Sequence, residues 1–136
     1  MILSSGIDLI EIERIQKALD RYGDHFLQKI FSAAELERLG RFKARQVNPR
    51  LIAAELAARF AAKEACSKAL GTGIGPVSWR EMEILNEPSG KPVLRLHGRA
   101  KEISEELGIQ TWSVSLTHTQ GMAAAVVVCS GEGQEA

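Results

Sequence analysis

Asp8 stands between Ile7 and Leu9 in an otherwise apolar stretch, where an unpartnered carboxylate is costly to bury. Far along the chain, Glu64 and Lys68 stand one helical turn apart in Arg59-Phe-Ala-Ala-Lys-Glu-Ala-Cys-Ser-Lys-Ala-Leu-Gly71. Two hard carboxylate ligands from separate elements, Asp8 and Glu64, suit Mg²⁺, which fills its octahedron with waters and substrate phosphates. An ammonium one turn from Glu64 can neutralise charge on a metal-bound phosphate or protonate a leaving oxygen. An ordinary i,i+4 ion pair explains the same spacing, and a salt bridge or helix cap explains an isolated Asp8. Arg59 and Lys63 are placed to grip further phosphates. His118, between Thr117 and Thr119 and followed by Gln120-Gly121, sets hydroxyls and backbone amides at one turn, a candidate phosphate cradle. Gly90-Lys91 and the Gly71-Thr-Gly-Ile-Gly75 loop have the same character, which ordinary turn chemistry also accounts for. No Walker loop, dinucleotide fingerprint or zinc-ligand spacing is present.

The helix that must carry Glu64 and Lys68 has no wholly polar face. At about 100° per residue, Ile52, Leu56, Phe60 and Leu70 share a stripe with Arg59, Lys63 and Ser67 in or beside it. The opposite side is Ala54, Ala58, Ala61, Ala62, Ala65 and Ala69, suited to close packing. Arg59, Lys63, Glu64 and Lys68 therefore need partners from outside the helix.

A chain of 136 residues, 45% of them hydrophobic, is expected to form a single domain with a real core. Lys plus Arg and Asp plus Glu each number 17, so no overall field draws the chain to nucleic acid or membrane. The cations Arg38, Arg41, Lys43, Arg45 and Arg50 form a local run without an acid between them, most simply a solvated face. With few aromatics beside it, this run makes a poor nucleic-acid platform. Cys66 and Cys129 are too few for a disulfide framework, and the apolar start lacks a basic leader; a reduced, cytoplasmic setting without a membrane span is expected.

Met1 to Glu11 reads as a strand, and Ile12, Ile15, Leu19 and Tyr22 follow at helical spacing to Gly23. A helical piece covers about His25 to Ile30, and the capping box Ser32-Ala-Ala-Glu35 opens a helix to about Phe42. The longest helix starts after Asn48-Pro49 and ends at Gly71. Strands are expected at Trp79 to Leu85 and Pro92 to Leu96, joined by Pro88-Ser-Gly-Lys91. A helix from about Arg99 to Leu107 and strands at Thr111 to Leu116 and Met122 to Cys129 follow. Helices first and strands later predict an α+β fold, an antiparallel β-sheet packed with a long central helix. Residues 1–129 form the domain, and Ser130 to Ala136 is expected to be a disordered tail.

Together, Gly6-Ile-Asp-Leu-Ile-Glu-Ile-Glu-Arg-Ile15, the Arg59 to Gly73 segment, Ser89-Gly-Lys-Pro92 and Ser113-Val-Ser-Leu-Thr-His-Thr119 resemble the signatures of the small phosphopantetheinyl transferases of the holo-acyl-carrier-protein synthase type. The resemblance runs from about Met1 to Cys129 with every motif in order. It implies transfer of 4'-phosphopantetheine from coenzyme A to a serine of an apo-acyl carrier protein, with release of adenosine 3',5'-bisphosphate. It further implies Asp8 and Glu64 as Mg²⁺ ligands, Glu64 as the acceptor of the serine proton and Lys68 beside the leaving phosphate, with Asp8 and Lys63 as alternative holders of these roles. Arg59, Lys63, Ser67, Gly71, Gly73, Ser89, Gly90, Lys91, Pro92, Thr117, His118 and Thr119 match coenzyme A contacts. Arg14, Lys17 and Arg21 resemble a docking face for the acidic helix of a carrier protein, an encounter that salt would slow. The resemblance also implies a homotrimer with active sites between subunits. Thr117 stands where many relatives have Ser, and Cys66 where a larger apolar residue is common. A non-catalytic module that binds carrier protein or coenzyme A is the competing class, against which Asp8, Glu64 and Lys68 speak.

Overall fold

Side chains from Ile2 to Glu11 alternate between covered and exposed, the period of a strand with one buried face. In the computed structural model, which describes residues 1–45 and 48–133, this strand is β1. Helix α1 (Ile12–Tyr22) follows and stops at Gly23, whose φ of 54° few other residues adopt. Helix α2 (Asp24–Ile30) leads to α3 (Ala33–Arg45), opened by the expected capping box. Ser32 N–H donates to Glu35 Oε1 at 2.9 Å and Glu35 N–H to Ser32 Oγ at 3.2 Å. Lys43 and Arg45 extend α3 past the expected end at Phe42, their charges complementing the carbonyl end of the helix.

Helix α4 (Pro49–Leu70) begins and ends where Asn48-Pro49 and Gly71 predict. The Asn48 side chain accepts from Arg50 N–H at 3.0 Å, and Gly71 closes the helix in the left-handed region at φ 80°. A single 3₁₀ turn at Trp79–Glu81 replaces the expected start of a strand, because Ser78 and Glu81 cap each other reciprocally. Strands β2 (Met82–Asn86) and β3 (Pro92–Leu96) form a hairpin, and α5 (Gly98–Glu106) precedes β4 (Thr111–His118) and β5 (Met122–Gly131). The expected tail is corrected at its start: Ser130 pairs with β1 and β4 and Gly131 with β1, and the last residues of the tail, 134–136, lie outside the described residues.

The strands divide into an antiparallel sheet of order β1-β5-β4 and the separate hairpin β2-β3. Helix α4 lies against β1 and β5, with Ala57, Ala61, Ala62, Ala65 and Cys66 inaccessible to solvent. Burial pushes the Cys66 thiol up to about 12, leaving a small apolar filler rather than a nucleophile. The helix and β1 touch backbone to backbone: a Cβ at Gly6 would lie 1.9 Å from the Ala65 carbonyl oxygen. Ser4 Oγ donates to the Ala69 carbonyl at 2.7 Å one turn further on. The other face of the sheet stays open, with Leu3, Ile7 and Leu9 at 69%, 66% and 63% exposure.

Candidate functional site

The Gly6 crossing sets the next strand residues against the C-terminal half of α4. Lys68 Nζ donates to the Ile7 carbonyl at 2.9 Å and to the Asp8 carboxylate at 3.2 Å. Its bonds thus reach across to β1, which an i,i+4 pairing with Glu64 would not require. Half-buried Glu64 has its carboxyl held above the usual carboxylate range, first by burial and then by the charge of Asp8, with Lys68 opposing. Asp8, Glu64 and Lys68 are therefore one electrostatic cluster: two carboxylates that repel and one ammonium. No group of three or more His, Cys, Asp or Glu suited to a metal occurs among the described residues. Two carboxylates in mutual repulsion are nonetheless the donor set of a hydrated Mg²⁺ whose remaining ligands come from water and phosphate.

A second group assembles elsewhere. Arg59 and Lys68 are nine positions apart in the sequence, so they project from roughly opposite sides of α4 at about 100° per residue. Arg59 donates through Nη1 to Glu55 and through Nη2 to Asn86 Oδ1 at 2.9 Å. Asn86 Nδ2 in turn donates to the Gly90 carbonyl at 2.8 Å, fastening the hairpin turn to the guanidinium. Arg59, Gly90, Lys91, Pro92, Thr117 and His118 line one groove of ≈ 600 Å³, with Arg38, Glu55 and Asn86 beside them. Ser89 belongs to the same turn, its hydroxyl accepting from Lys91 N–H at 3.3 Å. His118 and Thr119 also border an adjoining hollow of ≈ 420 Å³ with Asn48, Arg50 and Leu51.

Other expected ligand contacts are spoken for. Lys63, expected to grip phosphate, is fully buried; its ammonium donates to Glu35 at 2.7 Å and to the Trp79 and Met82 carbonyls at 3.0 and 2.7 Å. The Phe31 ring lies 5.3 Å away on a further side. Burial lowers the Lys63 pKa and Glu35 opposes that shift, so Lys63 ties α4 to α3 and the hairpin. Ser67 is likewise sealed, its hydroxyl donating to the Glu64 carbonyl at 2.7 Å. Gly71 and Gly73 serve the helix end, Gly73 N–H donating to the Ser67 carbonyl at 3.2 Å. The Thr119 hydroxyl accepts from Gly121 and Met122 N–H, so those two amides close the turn rather than cradle an anion. Glu35, Glu55 and Asn86 were missed as functional candidates. Glu35 was legible only as a cap, Glu55 by its place one turn before Arg59, and Asn86 by nothing local.

Residues 4–127 match the 4'-phosphopantetheinyl transferase superfamily. The chain belongs to this superfamily. A holo-[acyl-carrier-protein] synthase of Herpetosiphon aurantiacus is 45% identical over 137 residues, covering 96% of this chain and 100% of that one. Among solved structures, the Helicobacter pylori holo-[acyl-carrier-protein] synthase in complex with coenzyme A is 35% identical. It aligns with a TM-score of 0.76 over 93% of this chain and 99% of that chain. The Plasmodium yoelii acyl carrier protein synthase with ADP bound reaches a TM-score of 0.83 at 28% identity, over 98% of each chain.

In this phosphopantetheinyl transferase, α1 leaves β1 three residues after Asp8 and presents Arg14, Lys17 and Arg21 to solvent. Lys17 pairs with Glu13 at 3.1 Å, both well exposed, and the Arg21 guanidinium lies 5.3 Å from the Tyr22 ring. Such surface pairs hold little energy, leaving the cations available to a partner. No helix of the transferase is long and apolar enough to cross a membrane among the described residues.

Proposed function

We propose that the protein transfers 4'-phosphopantetheine from coenzyme A to a serine hydroxyl of an apo-acyl carrier protein, with Mg²⁺ held by Asp8 and Glu64. The observation that carries this reading is the Asp8, Glu64 and Lys68 cluster at the crossing of β1 and α4. Mg²⁺ there would neutralise the pyrophosphate oxygens and fix the phosphorus to be attacked. Glu64 takes the proton of the serine hydroxyl. The serine oxygen bonds to the phosphorus bearing the pantetheine arm, and the bond from that phosphorus to the oxygen of the adenosine-side phosphate breaks. Lys68 offsets charge on the departing adenosine 3',5'-bisphosphate. Arg59, the Ser89 to Pro92 turn and His118 hold the nucleotide, and Arg14, Lys17 and Arg21 receive the acidic face of the carrier.

Because Arg59 and Lys68 leave α4 on opposite sides, one chain offers two half-sites. A homotrimer joins the metal half of one subunit to the nucleotide half of the next. The open sheet face of Leu3, Ile7 and Leu9 supports such an assembly, since apolar patches of this kind mark interfaces. Two free, buried cysteines accord with a cytoplasmic setting. The test is nucleotide release: with coenzyme A and Mg²⁺, adenosine 3',5'-bisphosphate should form only when an apo carrier with its serine is supplied. Release that ignores the carrier, or none under any condition, removes the proposal.

A further inference from the structure

Among the described residues, the Arg59 Nε is the buried side-chain donor that has no partner. The rest of that guanidinium is engaged by Glu55 and Asn86. The Glu55 oxygen that accepts from Arg59 also lies 3.5 Å from Arg38 Nη1, so one carboxylate is shared by two guanidiniums. Arg38 is delivered by α3, a different element from the helix carrying Arg59, and both line the groove that Gly90, Lys91 and His118 complete. Two cations on one anion leave a positive excess there, with an orphaned donor beside it. Burial lowers the Arg59 pKa, Glu55 raises it again, and the charge of Arg38 lowers it. A phosphate in the groove would balance this excess, because its several oxygens accept from guanidinium forks in planar, paired geometry.

We propose that Arg38 is a further phosphate-binding residue of this groove, acting beside Arg59 on a phosphate group of the nucleotide substrate, with Glu55 holding the two guanidiniums in register. This rests on the coenzyme A reading above. Coenzyme A offers two sources of the same chemistry, the pyrophosphate and the ribose 3'-phosphate. Arg38→Gln should raise KM for coenzyme A about tenfold, the worth of one charge-assisted hydrogen bond, with kcat within about twofold. Arg38→Lys should recover part of that loss. Dephospho-coenzyme A separates the sources: the Arg38→Gln penalty vanishes with it if Arg38 grips the 3'-phosphate and persists if it grips the pyrophosphate. An unchanged KM in a folded Arg38→Gln protein overturns the proposal. Should that variant not fold, the guanidinium resonances of Arg38 in the nitrogen-labelled wild type are followed as coenzyme A is added. Their shift supports the assignment, and unmoved resonances at saturation overturn it. Failure of the wild type to turn over coenzyme A would instead strike the proposed function, and the titration would still decide on Arg38.

Discussion

Glu64 carries an electrostatic penalty in the folded protein. Its pKa is raised above the usual 4.5 by burial and by Asp8, so folding favours the protonated carboxyl. The stability this group contributes is complete below about pH 4 and is lost as pH rises through its folded value, so at pH 7 the ionised group weakens the native state. Glu64→Gln removes that penalty. The variant should melt above the wild type at pH 7, the gap closing as pH falls toward 4, while transfer drops by about a hundredfold or more. Calorimetric melts at the two pH values read the first effect, and equal melting at pH 7 would contradict it. The sequence made Asp8 a candidate because a carboxylate in an apolar strand lacked a local partner, and Glu64 because it offered a second hard oxygen ligand from a separate, core-like helix. It left Lys63 misassigned, since nothing near residue 63 announces that Glu35, in another helix, has already claimed its ammonium.

Among elements, the long helix and the strands were legible because their signals are local. Asn48 and Pro49 start α4 and Gly71 ends it, and the apolar run from Met1 to Glu11 marks β1. The 3₁₀ turn before β2 follows from the local Ser78 and Glu81 capping box that the strand expectation overlooked, whereas division into two sheets and the course of β5 through Ser130 and Gly131 depend on pairing across the chain, which no local pattern encodes. The buried link from α4 to α3 belongs to this class. Glu35 receives Lys63, Ser32 N–H and Ile84 N–H, so the helix pair and the hairpin meet on one carboxylate. Removing only the ammonium strands that carboxylate. Lys63→Ala should cost about 3–5 kcal/mol by urea unfolding, and Lys63→Met combined with Glu35→Leu should recover only part of the loss, because the Ser32 and Ile84 N–H groups then lose their acceptor. A stable Lys63→Ala protein with only a raised KM for coenzyme A would restore Lys63 to the ligand.

At the scale of the whole molecule, the proposed split of the site across α4 would require neighbours. In the proposed homotrimer, Glu64→Gln should disable the metal half and Arg59→Ala the nucleotide half, so each variant should be inactive for a different reason. Mixed after unfolding and refolded together, they should regain activity, because some interfaces then join two intact halves. Absence of recovery in trimers verified by light scattering would place both halves within one subunit. The transfer itself is read most directly on its acceptor. An apo-acyl carrier protein incubated with this protein, coenzyme A and Mg²⁺ is weighed intact by mass spectrometry. The account predicts the gain of one phosphopantetheine group on the carrier serine, abolished by chelator and by Asp8→Asn; a carrier of unchanged mass with the wild-type protein would contradict it.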